Sequence, residues 1–257
     1  GSGAGVLQNG YTIYHEGSNL GVAQVSTKSV NFNKRGYLTA SSAHSQEALY
    51  RTFAMSSSIS LWFKTDIRHN GGGQPASASM VVRGLRDVEP TYEIRFHNYG
   101  LTANVGLVRG KDPKRELSFR VGDSANKLNN EKWHHVALAW EPHTAYLYVD
   151  GVLRDSAQPG RSATTASGIP VIVGGKPGAG TSADPADNGF NGKIDELTFF
   201  SGTLSSDQVT QLYNQGVPID VPNTTFSSPS LQVISHYKMG EHPLDVALGR
   251  ISGYVHD

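Results

Sequence analysis

The chain has 257 residues, no cysteine and a formal charge of zero, because 22 Lys and Arg residues balance 22 Asp and Glu residues. This length is enough for one large β domain or two smaller domains with a buried core. A neutral chain without a basic stripe disfavours nucleic acid as a ligand, and the lack of cysteine excludes disulfides, Cys-ligated zinc and a thiol nucleophile. No apolar run approaches the roughly 18 residues of a membrane span, so we expect no membrane insertion.

Short β-branched and aromatic runs alternate with turn residues along most of the chain, which contains 29 glycines and 12 prolines. This pattern predicts an all-β fold. The strand-like segments are, in chain order, VSTKSVNF, YLTA, SISLWFKTD, SMVVRGL, TYEIRFHN, LTANVGLV, ELSFRVG, HHVALAW, AYLYVDGVLRD, IPVIVGG and KIDELTFF. In SISLWFKTD the period of two places Ile59, Leu61 and Phe63 on one face and Trp62 on the other.

The segments HHVALAW and AYLYVDGVLRD predict a hairpin whose second half folds back over residues 150–151. The Asp-Gly pair at these positions tolerates the positive φ of a tight turn. Alternation then places Tyr146 and Tyr148 on one sheet face and Leu147 and Val149 on the other.

Two adjacent histidines, His134 and His135, begin this hairpin. Neighbouring residues on a strand point to opposite faces, so these two side chains cannot bind one ion or serve one proton transfer. We expect one of them to be buried and hydrogen-bonded and the other to lie at the sheet surface.

One segment, SSDQVTQLYNQG, has helical rather than strand periodicity. Val209, Leu212 and Tyr213 recur at helical spacing, a serine at 205 or 206 can cap the start, and Gly216 follows the end. The sequence predicts a short helix near residues 205–215. Residues 217–230 are rich in Pro, Ser and Thr and are predicted to be a linker.

The segments SISLWFK, EKWHHVALAW, AYLYVDGVLRD and GKIDELTFFSGTLSSDQVTQLYNQG resemble, in this order, the laminin-G-like, concanavalin A-type domain. The resemblance spans residues 20–216 and implies a jelly-roll sandwich of two antiparallel sheets. An N-terminal segment, 1–19, then precedes the domain, and residues 231–257 are predicted to be either a returning strand or the start of a second repeat.

Relatives of this fold that cleave β-glucans carry a Glu-x-Asp-x-x-Glu pattern, which this sequence lacks. A retaining glycosidase needs two carboxylates about 5 Å apart. Asp195 and Glu196 are adjacent on a strand and are therefore expected to face apart. We predict a protein that is not an enzyme.

Many jelly rolls of this type hold calcium through carboxylate and carbonyl oxygens, and the resemblance implies Asp195 as one ligand. The early turn of the family carries acids, whereas this sequence has FNKRGYL, whose lysine and arginine repel a cation. Asp184, Asp187 and Asn188 in a long loop are alternative oxygen donors. We expect no calcium or a weakly bound ion, and no other cofactor.

A glycan site on such a fold should combine aromatic and planar polar groups on an exposed face or loop. In TYEIRFHN, alternation places Glu93, Arg95 and His97 on a polar, solvated face, opposite Tyr92 and its apolar neighbours. Arg95 and His97 are the predicted ligand-binding residues. The loop residues Asp187 and Asn188 are predicted to join them.

The segments NGYTIYHEGSNLG and SHYKMGEHPLDV are similar to segments of bacteriophage tail-fibre and other virion proteins. The sequence therefore predicts a carbohydrate-binding or adhesion module that is extracellular or on a virion surface and contacts host-surface glycans, with homo-oligomerisation left open. Two alternatives stay open: a capsid or tail decoration protein that binds other virion subunits, and the binding domain of a secreted bacterial carbohydrate-active enzyme.

Overall fold

The computed structural model describes residues 6–7, 11–15, 28–33, 37–40, 56–67, 77–83, 92–97, 99–106, 117–119, 127–158, 171–175, 189–221, 224–226, 231–239 and 251–254. Its strands are β1 (Val6–Leu7), β2 (Tyr11–His15), β3 (Lys28–Asn33), β4 (Tyr37–Ala40), β5 (Ser57–Lys64), β6 (Ser77–Arg83), β7 (Tyr92–His97), β8 (Gly100–Val105), β9 (Leu117–Phe119), β10 (His134–Glu141), β11 (Thr144–Val149), β12 (Val152–Ala157), β13 (Val171–Val173), β14 (Asn191–Ser201), β15 (Gln232–Tyr237) and β16 (Ile251–Tyr254). The α-helix of this part of the chain, α1, is Ser206–Tyr213.

These strands form two antiparallel sheets, which confirms the predicted all-β sandwich with one short helix. Sheet A has the order β1-β2-β3-β14-β5-β10-β11-β12, and β15 also pairs with β14. Sheet B has the order β16-β4-β13-β6-β7-β8-β9.

The main core lies between the inner faces of the two sheets. Every second residue of the central strands points into it, as the period-two pattern predicts. Side chains that are 0% exposed there include Ile59, Leu61, Phe63, Tyr92, Ile94, Phe96, Val136, Leu138, Leu147 and Ile194. The alternation predicted for SISLWFKTD is thus confirmed.

A second apolar cluster covers the outer face of sheet A. Helix α1 contributes Val209 and Leu212, and the segment after the helix contributes Val221 and Leu231. All four are at most 8% exposed. Within 217–230, Ile219, Val221 and Phe226 therefore pack against the sheet, although the domain boundaries themselves stay a prediction.

Local capping explains where α1 begins and ends. The Ser205 side chain accepts from the Gln208 backbone N–H, while the Gln208 side chain accepts from the Ser205 N–H, so the two form a capping box. Asn214 adopts the left-handed conformation at the C-terminal cap. The helix therefore ends at Tyr213, three residues before Gly216, because asparagine also tolerates this conformation.

The predicted hairpin turn is confirmed. Asp150 and Gly151 have φ values of 51° and 76°, and Val149 pairs directly with Val152 across them. Tyr148 packs in the outer cluster and Leu147 in the main core, so the predicted faces are also correct.

Segments near both ends of the chain extend the two sheets. Strand β2 pairs with β3 in sheet A, and β16 pairs with β4 in sheet B. Strand β15 pairs with the second half of β14, beyond the residues that pair with β3. In the part of the chain that the structure describes, no helix has the length and apolarity needed to cross a membrane.

Candidate functional site

Six polar side chains lie together on the outer face of sheet B, and we call them the polar row. Alternation along β7 turns its apolar residues into the core and its polar residues outward. Strand pairing sets Arg95 opposite a residue of β6 and one of β8, which extends the polar surface over three strands. The members of the polar row are Ser79, Glu93, Arg95, His97, Thr102 and Asn104.

Hydrogen bonds orient the charged members of the polar row. The Ser79 hydroxyl donates to the Glu93 carboxylate. The Arg95 Nε donates to Thr102 Oγ1 over 3.1 Å, so the plane of the guanidinium is fixed before a ligand arrives. Such orientation lowers the entropy lost on binding.

The polar row is less solvated than its sequence predicts. Glu93 is 6% exposed and Thr102 is 3% exposed, whereas Arg95, His97 and Asn104 are partly exposed. The expectation of a fully solvated face was therefore wrong for Glu93, because its carboxylate turns towards a neighbouring hydroxyl. Arg95, His97 and Asn104 are thus the members of the polar row that reach the surface.

The long loop predicted to join this face lies outside the described residues, so Asp184, Asp187 and Asn188 are not placed. The residue after it, Gly189, forms an isolated parallel bridge with Ser79 of the polar row. The chain therefore meets the polar row immediately after this loop.

An aromatic residue and a lysine meet at the tip of the β7–β8 turn. Tyr99 has φ 68°, and its carbonyl accepts from the Leu128 N–H over 3.0 Å. Lys127 Nζ lies 4.3 Å from the centroid of the Tyr99 ring, which is within the range of a cation–π contact. His97 is the residue just before this turn.

The two adjacent acids of β14 lie at a β-bulge. Asp195 pairs with Trp62 of β5 and Thr198 pairs with Ser60, so three residue steps on β14 match two on β5. Strand β14 therefore contains one extra residue between Asp195 and Thr198. Glu196 takes φ 50° at this point. Asp195 pairs with Trp62, whose ring stacks on the helix residue Tyr213, so Asp195 points to the outer side of sheet A.

The Glu196 carboxylate reaches the same outer side, where its Oε2 lies 3.0 Å from His236 Nε2. The expectation that Asp195 and Glu196 face apart was therefore wrong, because the bulge interrupts the alternation of the strand. Both carboxylates are nevertheless buried, at 7% and 4% exposure. A polysaccharide could not reach them without local opening.

A buried polar chain surrounds Glu196. His236 Nδ1 lies 2.8 Å from Thr198 Oγ1, and the Thr198 hydroxyl is 3.1 Å from the Glu196 carbonyl. Residues of β14 and β15 thus share one hydrogen-bonded network. It lies in the second half of β14, which pairs with β15, next to the first half, which pairs with β3. Neither His236 nor Thr198 was identified from the sequence, because the bulge has no local sequence signal and the strand partner of a returning segment cannot be read from the sequence.

The described residues provide little for a calcium ion. Asp195 is the predicted ligand among them, and its Oδ1 already accepts from the Glu196 N–H over 2.8 Å. Among the residues with described side chains, no group of three His, Cys, Asp or Glu could hold a metal. The expectation of a weakly bound calcium ion or none stays a prediction.

The two adjacent histidines point to opposite faces, as predicted. His135 is 0% exposed, with its Nε2 2.8 Å from Ser60 Oγ, and burial lowers its pKa to about 4 although Asp150 acts in the opposite direction. His134 lies at the edge of the sandwich, and its Nδ1 is 2.8 Å from Asp150 Oδ2. Both histidines have structural roles in this arrangement.

Comparison with known proteins identifies the fold. No curated protein sequence matches the chain. A Bacteroides ovatus structure named "putative carbohydrate binding protein" superposes with a TM-score of 0.56 at 15% identity, over 91% of this chain and 61% of that chain. The receptor binding domain of botulinum neurotoxin C/D mosaic serotype gives a TM-score of 0.49 at 16% identity, over 80% and 46%.

The binding domain of botulinum neurotoxin DC, solved in complex with rat synaptotagmin II, gives a TM-score of 0.49 at 14% identity, over 73% of this chain and 39% of that chain. The chain thus spans less than two thirds of each of these structures. The sequence profile of the Laminin G 3 family matches residues 32–210, which is well over half of the chain. With the two-sheet sandwich already established, this match shows that the chain belongs to the Laminin G 3 family, described as the Concanavalin A-like lectin/glucanases superfamily.

Proposed function

We propose that this protein is a non-catalytic carbohydrate-binding module and that the polar row of sheet B contacts the glycan. The observation that carries the proposal is the alignment of Arg95 and His97 on one outer face, with Arg95 oriented by Thr102. Guanidinium and imidazole nitrogens hydrogen-bond sugar hydroxyls or carboxylates while staying partly solvated when no ligand is bound. Membership of a lectin-type superfamily supports this assignment.

The loop that precedes Gly189 is proposed to complete the site through Asp187 and Asn188. The bridge between Gly189 and Ser79 supports this part of the proposal, because it brings the chain back to the polar row directly after the loop. Substitution of Asn188 by Ala should then weaken glycan binding without lowering the melting temperature.

We propose a binding module rather than a glycosidase because the acids of β14 are buried and Glu196 Oε2 lies 3.0 Å from His236 Nε2. A panel of plant, algal and bacterial polysaccharides should yield no new reducing ends and no unsaturated products. Reproducible turnover that disappears in Asp195→Asn or Glu196→Gln would show that the acids of β14 are catalytic.

The natural setting that we propose is the surface of a virion, where many copies contact host glycans. The similarity of YTIYHEG and SHYKMGE to virion segments supports this setting. A shallow surface binds one sugar weakly, with a dissociation constant on the order of millimolar, and many copies on one particle raise the effective affinity.

The binding test displays the protein in many copies on beads and applies them to a glycan array and to bacterial cells. Wild-type beads should bind, and the double variant Arg95→Ala, His97→Ala should bind less with an unchanged melting temperature. Gln232→Ala, an exposed change on β15, is the matched control. Beads that bind no glycan or cell but assemble tightly with a tail or capsid protein would favour the decoration alternative.

A further inference from the structure

We infer that the glycan bound by the polar row is anionic, carrying carboxylate or sulfate groups, and that it extends from Arg95 to the Tyr99–Lys127 pair. This inference rests on the proposed function and adds the class of ligand and a second contact. It joins the polar row to the turn that follows β7, which Lys127 reaches from a distant part of the sequence.

The polar row continues along β7 into the turn before β8. Arg95 and His97 are two positions apart on β7 and point to the same side, so their Cα atoms are roughly 7 Å apart. His97 pairs with Gly100, and Tyr99 lies in the turn between them. The backbone of Leu128 binds this tip through the Tyr99 carbonyl, and Lys127 lies beside the ring. Arg95, His97 and Tyr99 therefore follow one another from β7 into the turn, where Lys127 packs on the Tyr99 ring.

The charged groups open to a ligand on this surface are cationic. Arg95 and Lys127 carry positive charge, and His97 adds ring nitrogens between them. The acid of the polar row, Glu93, is buried and its carboxylate accepts from the Ser79 hydroxyl, so it is not open to a ligand, and the two cations exceed its charge by one. A neutral sugar needs no excess of cations, whereas carboxylate and sulfate oxygens match a guanidinium and an ammonium group.

Tyr99 adopts a left-handed backbone conformation. A non-glycine residue with φ 68° is uncommon, and a bulky side chain at such a position is rarer still. Asn or Gly would fit this turn with less strain, so the aromatic ring at this position carries a conformational cost. The Tyr99 ring is partly exposed and has Lys127 over one face, which combines an apolar sugar-stacking surface with a cation.

The experiment compares three polymers with the same sugar backbone: dextran, carboxymethyl dextran and dextran sulfate. Each is immobilised at equal density, and binding of the bead-displayed protein is measured at several salt concentrations. We expect binding to both charged polymers, at least about tenfold weaker binding to dextran, and a decline with added salt. The two charged polymers separate a preference for carboxylate from one for sulfate.

Three variants test the residues. Arg95→Ala, Lys127→Ala and Tyr99→Asn should each weaken binding to the preferred charged polymer about tenfold, the effect of losing one hydrogen bond to a charged group or one stacking contact. Asparagine is chosen for position 99 because it tolerates the left-handed backbone, and unchanged melting temperatures verify the fold.

Lys132→Ala is the matched control, because it removes the same charge from an exposed position. Lys132 follows Glu131, whose N–H donates to the Thr65 carbonyl beside sheet A and so away from the polar row. The affinity of Lys132→Ala for the preferred polymer should stay within twofold of wild type.

Equal affinity for neutral and charged dextran overturns the inference but leaves the proposed function standing. An equal loss in Lys132→Ala and Lys127→Ala, or no binding to any of the three polymers, also overturns the inference. Failure of the whole glycan array is the separate outcome that removes the proposed function.

Discussion

His236 Nε2 lies 3.0 Å from Glu196 Oε2, and this buried contact joins β15 to the bulge of β14. Glu196 is 4% exposed and His236 is 5% exposed. Removing one partner of such a pair leaves a polar or charged group without compensation, which is costly in a buried site.

We expect His236→Ala to lower the free energy of unfolding by roughly 3 kcal/mol. His236→Gln keeps a donor for the Glu196 carboxylate, so its effect should be smaller. Chemical denaturation of both variants measures the difference, with Gln232→Ala on the same strand as the control. If all three variants unfold like the wild type, the network does not hold β15 in place.

The pH dependence of stability should report on His135. Its pKa is lowered to about 4 by burial, while the ring of the unfolded chain titrates near 6.5. The unfolded state therefore binds the proton first as the pH falls. The stability that neutral His135 contributes to the folded state is fully present above pH 6.5 and is lost between pH 6.5 and 4. The full difference corresponds to roughly 3 kcal/mol.

The variant His135→Gln lacks this titration. Denaturation at pH 7, 5.5 and 4.5 should show a smaller loss of stability in His135→Gln than in the wild type, whatever their difference at pH 7. Parallel losses in the two proteins would mean that His135 binds a proton in the folded state as easily as in the unfolded state.

The turn at Gly151 tolerates no side chain for two independent reasons. Its φ is +76°, and a Cβ atom built there would lie 2.9 Å from Tyr213 Cδ1. We expect Gly151→Val to destabilise the protein by at least about 1 kcal/mol, because it combines backbone strain with displacement of Tyr213.

A substitution at Gly216 separates backbone strain from displacement of Tyr213. Its φ is +94°, but a Cβ atom there would come no closer than 3.8 Å to the Tyr213 hydroxyl. Gly216→Val should therefore carry the backbone cost alone and lower the melting temperature less than Gly151→Val. Equal shifts would show that the contact with Tyr213 contributes nothing.

Much of the sandwich could be predicted from the sequence, because period-two alternation fixes which residues of a strand are buried. Tyr92, Ile94 and Phe96 are inside and Arg95 is outside, as the pattern of TYEIRFHN predicts. The turn at residues 150–151 was also predictable, since an Asp-Gly pair between apolar runs has one common conformation.

The contacts between distant segments could not be predicted. Glu196 changes sides because of one extra residue in β14, and no sequence pattern marks a bulge that is made without glycine. Lys127 reaches Tyr99 through a turn 28 positions away, and His236 reaches Glu196 through a strand that follows a Pro-rich segment. These pairings depend on how the sheets are assembled rather than on local propensity.

Calcium should have little effect on stability. Asp195 is buried and already accepts a backbone hydrogen bond, and the sequence of residues 33–36, NKRG, is basic. A weak site with a dissociation constant of about 1 mM would add at most roughly 1.4 kcal/mol in 10 mM calcium. Melting temperatures in chelator and in about 10 mM calcium measure the effect. A larger increase that is lost in Asp195→Asn would establish a strong site.

The most direct test of the central claim is a titration of isotope-labelled protein with a glycan that the array identifies, followed by amide chemical shifts. The account predicts that the largest changes fall on residues 93–104 of β7, its turn and β8, and that the indole and amide signals of Trp62 and helix α1 stay unchanged. Saturable shifts confined to α1 and the outer face of sheet A, with residues 93–104 unmoved, would contradict it.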